Sequence, residues 1–512
     1  MEGCNKSLDP ASFWVRMHDN RVYSNGPPQL GCDGFGGNFT EYAEQFDRGS
    51  VVLPPPSGEE IIAMAQRLLD FKADDEEVME KEEAAVTMGP PQLVFRGGTS
   101  PGSCDDFDLP DAPARAWRDG SGNVHLAASW ATSRFSHGPE LGSVKHSCEV
   151  AFNSTMSGEN ALYADHEWIL APFVLEDNVT VMGLAHQEYH GFEHNNCSTC
   201  VPGHHTPGCV LPSDKVKDCW MVALTSTVST DGGYTFQHTA PPPGHLVANA
   251  PYPYAPGHSE FGYGDPSGIF RHRSDGHFYM SATSRTRHEA VLPGTVLLRT
   301  DNLRDWKSWR CWNGADFSAT FVDPYAEPRP DPTTLAQHVC KPVPDLDFTV
   351  LSIKWSTFLQ AFIATGQGIF RFENGTALPG ASYIYKTSTD DTLLHWSEAK
   401  LLRPKLTAGP PEWGISENYA SLLDDTATSM NFEEVGQRAW FYFTRQTHHP
   451  NGTQCSRPPF CRDLYRQRVT FNKADDEGAK AVPREVMEKA IEEFVEATQP
   501  GSFDLDRALA VR

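Results

Sequence analysis

The sequence lacks several features that would assign it to a common class of protein. It contains no apolar run near the roughly 18 residues needed to cross a bilayer, so no membrane span is expected. It is poor in positive charge, with 42 basic against 67 acidic residues and a net charge of −25. This balance disfavours a nucleic-acid or anionic membrane partner. Because no phosphate-binding glycine loop or nucleotide fingerprint occurs, we expect no cofactor and disfavour kinases, nucleotide hydrolases and dehydrogenases.

The first residues, "MEGCNKSLDP", also lack the apolar core of a signal peptide. Two features nevertheless favour an oxidising compartment: the even count of 12 cysteines and the acceptor sequons for N-glycosylation. We therefore expect a secreted or lumenal glycoprotein with disulfides, its signal missing from a truncated or mis-started gene. The sequons lie at Asn5, Asn38, Asn153, Asn178, Asn196, Asn374 and Asn451.

Amphipathic helical patterns occur only near the two ends of the chain. "GEEIIAMAQRLLDF" has helical spacing behind Ser57, and "VPREVMEKAIEEFVEATQ" has it behind Pro483. Between them, short aromatic and β-branched runs alternate with turn residues. We predict an N-terminal extension with one helix at 1–92, an all-β domain at 93–475 and a C-terminal helical tail at 476–512.

Five segments of the central region share one order of a small or acidic residue, an apolar strand, a turn and an aromatic strand. Three of them are followed by two further strands with Ser/Thr-x-Asp and a downstream aromatic, at Asp231, Asp301 and Asp390. Each unit then has about four strands, and the repeat predicts a five-bladed β-propeller. The segments start at Pro110, Leu170, Tyr263, Thr349 and Tyr419.

The stretch "FGYGDPSGIFRHRSDGHFYMSAT" places Asp265 and Pro266 ahead of a β-hairpin with an Asp275-Gly276 turn. Inner strands of a propeller begin near the central axis, so a carboxylate there points into a shared funnel. The alternative is an aspartate that only caps a turn before a rigid proline.

At these residues the chain resembles the five-bladed propeller glycoside hydrolases, which include arabinanases, β-xylosidases and fructosidases. The resemblance implies a general-base Asp before the first inner strand, a pKa-modulating Asp in an Asp-Pro pair opening blade three, and a general-acid Glu opening blade four. Asp111 matches the first position, with Asp105, Asp106 and Asp108 as competitors, and Asp265 matches the second. Blade four departs from the pattern, because "DLDFTVLSIKW" contains no Glu.

Two glutamates are available as the missing acid, Glu188 in "LAHQEYHGF" and Glu417 in "WGISENYASLL". We favour Glu188, because partial desolvation among aromatic and imidazole groups is expected to raise its pKa. Exposed loop carboxylates are the alternative for both. The expected substrate-binding residues are His166, Trp168, His186, His190, Trp355 and Tyr419, although packing between blades uses the same aromatic types.

The segment "HNNCSTCVPGHHTPGC" has ligand types and spacing that suit zinc, in Cys197, Cys200, His204, His205 and Cys209. An oxidising compartment favours a disulfide-stapled loop instead, involving Cys219, so we predict no metal. A pair between Cys455 and Cys461 is also expected. "STDGGYTF" from Ser229 resembles the structural Asp-box of sialidases, which lies away from the active site.

The resemblance implies a hydrolase that cleaves glycosidic bonds of a poly- or oligosaccharide by carboxylate acid/base catalysis, and the cysteines and sequons predict that it is secreted. The alternatives are a catalytically silent propeller that binds carbohydrate, favoured by the absent blade-four Glu, and a protein-interaction propeller. The sequence leaves open the sugar, the linkage, the stereochemical outcome and the oligomeric state.

Overall fold

The computed structural model describes most of the central region of the chain. The described residues are 17–18, 21–22, 86–98, 103–105, 107–194, 196–197, 219–256, 260–285, 291–371, 375–378, 380–408, 415–447 and 462–472. Both predicted helices, Asp106, His204, His205 and the cysteines at 200, 209, 455 and 461 lie outside them. The chain divides into two compact units, one of 1–8, 25–87 and 472–512 and one of 9–24 and 88–471. None of the described helices is long and apolar enough to span a bilayer.

The regular secondary structure of the described residues is β-strand, apart from two short 3-10 turns at Asn160–Leu162 and Leu335–His338. A small hairpin consists of β1 (Met17–His18) and β2 (Arg21–Val22). The next strand, β3 (Val86–Arg96), belongs to blade five. Blade one is a four-stranded antiparallel sheet that runs in the order β4 (Arg115–Arg118), β5 (Val124–Ala127), β6 (Thr132–Gly138) and β7 (Lys145–Asn153).

Blades two and three are joined in a ten-stranded sheet, because β10 pairs in parallel with β13. The blade-two strands are β8 (His166–Val174), β9 (Val181–His190), β10 (Trp220–Ser229), β11 (Gln237–His238) and β12 (Leu246–Ala248). Blade three consists of β13 (Phe261–Gly264), β14 (Phe270–Arg271), β15 (Phe278–Arg285), β16 (Gly294–Thr300) and β17 (Arg310–Cys311).

Blade four runs β18-β19-β20-β21, with the short β24 alongside β18. Blade five runs β23-β25-β26-β3, with β22 paired to β23. The remaining strands are β18 (Thr349–Ser356), β19 (Ala361–Gly368), β20 (Ser382–Thr387), β21 (Lys400–Pro404), β22 (Thr407–Ala408), β23 (Ile415–Leu423), β24 (Glu434–Val435), β25 (Arg438–Thr447) and β26 (Arg462–Phe471).

The blades close into a ring. Inner strand β4 packs against β8 and β23, and β18 packs against β15 and β23. Strand β3, from the N-terminal side of blade one, supplies the outermost strand of blade five, so both ends of the propeller segment meet in one sheet. The predicted all-β, five-bladed propeller is confirmed. The domain boundary predicted at residue 93 falls inside β3.

Arg115 ties the inner strands together at the axis of this ring. Its buried guanidinium donates to the carbonyl oxygens of Leu170 at 2.8 Å, Pro266 at 2.9 Å and Leu351 at 2.7 Å. These acceptors belong to blades two, three and four. Burial lowers the pKa of Arg115 to about 9. A cation this deeply buried is tolerated because its donors are matched to backbone acceptors.

Three disulfides staple the described residues, at Cys104–Cys148, Cys197–Cys219 and Cys311–Cys340. The second, between Cys197 and Cys219, confirms a disulfide-stapled loop that involves Cys219. The Asp-box turn is structural as predicted: Asp231 Oδ1 accepts from the Tyr234 and Thr235 N–H groups, each at 3.0 Å, and Phe236 packs on Trp117.

Candidate functional site

Asp265 lies at a break in the inner strand of blade three. Strand β13 ends before it and β14 begins beyond it, and both strands pair with β15. Its φ of 48° is left-handed, a conformation that aspartate adopts more readily than most residues. Its neighbour Pro266 bonds to Arg115, so Asp265 lies beside the axis and not at the outer edge of the blade. The predicted hairpin is confirmed by the Phe270–Tyr279 pairing.

The Asp265 carboxylate is paired, and its backbone reaches blade two. The carboxylate forms an ion pair with Arg285 at the end of β15, and Arg285 also pairs with Glu260. The Asp265 N–H donates to His186 Nδ1 at 3.1 Å. A Cβ on Gly264 would lie 2.5 Å from His186 Cε1, so only glycine permits this close approach.

His186, Glu188 and His190 form a hydrogen-bonded chain at the end of β9. His186 accepts at Nδ1, so its proton is on Nε2, which donates to Glu188 Oε1 at 2.8 Å. His190 Nε2 lies 2.9 Å from Glu188 Oε2, and its Nδ1 lies 3.0 Å from Glu193 Oε1. Because both His190 nitrogens face carboxylates, both donate and the ring is an imidazolium. Burial opposes that charge, but the hydrogen bonds to Glu188 and Glu193 raise the pKa of His190 to about 9.

The expected rise in the pKa of Glu188 is wrong. Burial alone would raise it, but the hydrogen bonds from His186 and His190 outweigh burial and hold the pKa of Glu188 well below its usual range. Glu188 is therefore ionised in this site, and the extra proton of the pair is on His190.

Asp111 lies just before β4 and contacts blade five. Its Oδ1 accepts from the Tyr419 hydroxyl at 2.7 Å and pairs with Arg462. The neighbouring Ala112 packs with Trp168, whose ring centroid lies 5.8 Å from that of His186. The described competitors are engaged elsewhere, Asp105 with Arg134 and Asp108 with His146.

A continuous path therefore runs around the axis from blade five through blades one and two to blade three. We call this set the axial cluster. Its members are Asp111, Trp168, His186, Glu188, His190, Asp265 and Tyr419.

His166 adds an aromatic and acidic patch beside the axial cluster. Its ring stacks on His190 at 4.3 Å and on Trp168 at 5.9 Å, with Trp130 at 6.1 Å. Its Nδ1 lies 3.0 Å from Asp165 Oδ1. Four further acids and bases of this neighbourhood were not predicted as site residues, and they are Asp165, Glu193, Arg285 and Arg462. Only Asp165 and Glu193 had a sequence signal, because each lies close to a histidine in "ADHEW" and "FEHNN".

Glu417 and Trp355 do not join the axial cluster. Glu417 is fully buried, and its oxygens bind Arg403 Nη1 at 2.8 Å and Arg445 Nη2 at 2.9 Å, so the proposed acid is a structural ion pair. Trp355 lies at the C-terminal end of β18, where it contacts Phe362 and Arg273. The axial residues lie near the opposite ends of the inner strands.

Three groups of described residues bring possible metal ligands within 4.8 Å of one another. Cys104, Asp108 and His146 form one, but Cys104 is in a disulfide. The second consists of His166, His190 and Glu193 and shares His190 with the axial cluster. Both ring nitrogens of His190 donate to carboxylates, so neither is open to a metal ion. The third is buried in blade two and consists of Glu167, His238 and His245.

The charge on His190 predicts a pH dependence of stability. Because its folded pKa is raised from 6.5 to about 9, its contribution is complete below pH 6.5 and is lost as the pH rises through 9. Each pKa unit corresponds to about 1.4 kcal/mol, so the free energy of unfolding of wild type relative to His190→Gln should fall by up to about 3 kcal/mol over this window. Urea denaturation of both proteins at a series of pH values measures this difference.

The matched control is His395→Gln, because the His395 side chain is 65% exposed. As a substitution of an exposed side chain, it should change the free energy of unfolding by less than about 0.5 kcal/mol. Parallel stability curves for wild type and His190→Gln would show that His190 is not held as an imidazolium.

Comparison with known proteins finds distant structural likenesses only. No family model and no curated protein sequence matches the chain. A thermostable family-43 glycoside hydrolase is 10% identical, with 82% of this chain and 97% of that chain covered and a TM-score of 0.37. The α-L-arabinanase of Cellvibrio cellulosa is 10% identical, with 75% of this chain and 97% of that chain covered and a TM-score of 0.36. A family 117 glycoside hydrolase of the marine bacterium Zobellia galactanivorans is 9% identical, with 75% of this chain and 90% of that chain covered and a TM-score of 0.39.

The order of the strands and the ring of inner strands show that the chain is a five-bladed β-propeller. The solved structures named above, to which the chain is distantly similar, are glycoside hydrolases.

Proposed function

We propose that the protein is a secreted or lumenal glycoside hydrolase that cleaves a poly- or oligosaccharide at the propeller axis. The observation that carries this proposal is the convergence of Asp111, Glu188 and Asp265, from three different blades, on one path around the axis. Glycoside hydrolysis needs two carboxyl groups on opposite sides of the scissile bond. Segments far apart in sequence supply such a pair only if the fold brings them together.

The partners of each carboxylate suggest its role. Asp111, ionised beside Arg462 and hydrogen-bonded by Tyr419, is suited to act as the base or nucleophile. Asp265 fixes the tautomer of His186 through its backbone N–H and places a negative charge nearby.

The proton for the leaving group comes from the His190–Glu188 pair. His190 passes its extra proton to Glu188 Oε2 when a bound sugar displaces water, and Glu188 then protonates the glycosidic oxygen. This order keeps Glu188 as the acid while accounting for its low resting pKa.

The surroundings of the axial cluster suit a sugar. Trp130 presents its indole ring beside His166, and such a ring can stack on the apolar face of a pyranose, whereas Trp168 is buried behind His166. Trp130 is half-buried, so part of its surface is open to a ligand. The proposed partner is therefore a carbohydrate, with no nucleic acid or membrane partner.

The compartment is proposed from the disulfides and the sequons. The described residues contain three disulfides, and oxidised pairs persist in secreted or lumenal proteins. Asn153 and Asn178, each in a sequon, are exposed and so accessible to glycosylation.

A propeller that binds carbohydrate without cleaving it is the second candidate. It is favoured by the two arginine pairs, Asp111 with Arg462 and Asp265 with Arg285, which occupy carboxylate oxygens that catalysis would use.

A screen of the purified glycoprotein against chromogenic arabinosides, xylosides, galactosides and sialosides separates the two candidates. We expect release of the chromophore from at least one substrate class. Binding on a glycan array with no release from any substrate would support the silent propeller, and neither binding nor release would contradict both.

A further inference from the structure

Blade two contains a buried cluster that the proposed hydrolase chemistry does not use. Glu167 follows His166 on β8, and successive strand residues face opposite sides of a sheet, so Glu167 points away from the axial cluster. There it meets His238 of β11 and His245, which precedes β12. Glu167 Oε2 lies 2.8 Å from His238 Nε2, and Oε1 lies 3.4 Å from His245 Nε2.

Two members of this cluster are shielded from water. Glu167 and His245 are both 0% exposed. Thr225 Oγ1 donates to Glu167 Oε1 at 2.7 Å, which satisfies part of the carboxylate. Neither ring nitrogen of the buried His245 has a hydrogen-bond partner among the described residues. The unpaired nitrogens of this buried imidazole and the buried carboxylate beside it offer ligand atoms that a bound cation would satisfy.

We infer that Glu167, His238 and His245 form a binding site for one zinc-class divalent cation between the strands of blade two. Two imidazole nitrogens and a carboxylate oxygen are the donor set that Zn²⁺ prefers, whereas Ca²⁺ and Mg²⁺ prefer oxygen ligands alone. Zinc bonds of about 2.0–2.2 Å put tetrahedral ligand atoms roughly 3.3 Å apart. The separations of 2.8 and 3.4 Å are near that value.

The groups around the site hold its ligands in place. The Thr225 hydroxyl orients the Glu167 carboxylate. Ser226 donates from both its N–H and its hydroxyl to the His245 carbonyl, each at 2.9 Å, which fixes the loop that carries this ligand. Phe152 of blade one lies edge-on to His238 with a centroid distance of 5.5 Å and closes one side with apolar surface. His238 is 14% exposed and provides an entry path for the ion.

Zinc titration of the chelator-treated full-length protein tests this inference. A chromophoric zinc chelator as competitor gives the affinity, and elemental analysis gives the stoichiometry. We expect the wild-type chain to bind zinc at this site and His245→Gln to weaken that binding by at least about 100-fold. Thr225→Val, which removes only the orienting hydroxyl, should weaken it by about 10- to 100-fold.

His190→Gln is the matched control, because it removes an imidazole from the neighbouring His166 group. It should leave the affinity of this site unchanged. Loss of zinc in His190→Gln together with retention in a folded His245→Gln protein would overturn the inference and assign the metal to the axial side.

X-ray absorption of the zinc-loaded wild-type protein keeps the inference testable if His245→Gln does not fold. We expect scattering from two imidazoles and a light-atom ligand. A sulfur ligand would place the zinc on cysteines of the chain instead, and no bound zinc at all in folded wild-type protein would equally contradict the site.

Discussion

The Asp265→Asn protein should lose about 10²- to 10⁴-fold in kcat/KM on the best substrate from the glycoside screen. The substitution keeps the shape of the side chain and removes its charge. Asparagine also tolerates the left-handed φ of 48°, so the backbone break in blade three should persist. Arg285 retains its ion pair with Glu260, which leaves the cation compensated. The activity loss is therefore expected without a comparable loss of stability.

The matched control is Asp301→Asn, an exposed aspartate on blade three away from the axial cluster. Its kcat/KM should equal that of wild type. If Asp265→Asn folds and releases product at the wild-type rate, Asp265 has no part in the reaction, even if the hydrolase activity is real.

Glu417→Gln should lower the free energy of unfolding by about 3–5 kcal/mol, because it removes one partner of a buried ion pair and leaves the others uncompensated. Glu417 binds Arg403 and Arg445, and its Oε2 also accepts from the Leu406 N–H at 3.1 Å. The cationic side chains themselves lie against aromatic rings, with Arg403 4.5 Å from the Phe443 ring centre, and have little water to replace the carboxylate. Denaturation in guanidinium chloride measures the change.

Glu176→Gln is the control, since Glu176 is exposed on a turn of blade two. It should change stability by less than about 0.5 kcal/mol. The pKa of Glu417 is lowered: burial opposes this, but the two guanidiniums outweigh it. The pair therefore contributes fully above pH 4.5, and its contribution is lost as the pH falls below that value. A Glu417→Gln protein as stable as wild type at pH 7 would contradict the ion-pair assignment.

The blade architecture could be predicted from the sequence because each blade repeats a local pattern. The Asp275-Gly276 turn, for example, specifies its hairpin by itself. The closure of the ring could not be predicted in this way. Strand β3 contains Pro90 and Pro91, which argue against a central strand, but β3 is an outermost strand, where proline is tolerated.

The candidate site was predicted less completely, because its chemistry depends on contacts between distant segments. The sequence placed His186 and His190 beside Glu188, but not the direction of their hydrogen bonds, which reverses the expected pKa shift. The ion pairs of Glu417 could not be predicted from the sequence, because its cationic partners are on β21 and β25.

Trp355 lies apart from the axial cluster for a reason of length. At about 3.3 Å per residue, the seventh position of β18 lies roughly 20 Å from the start of the strand. The first residue of an inner strand can thus lie near the axial opening while its seventh cannot.

The most direct test of the central claim is a crystal structure of Asp265→Asn with an oligosaccharide of the class found by the screen. We predict a sugar between Asp111 and position 265, stacked on Trp130, with a glycosidic oxygen within hydrogen-bond distance of Glu188. A sugar bound on the outer surface of a blade, away from the axial cluster, would contradict it.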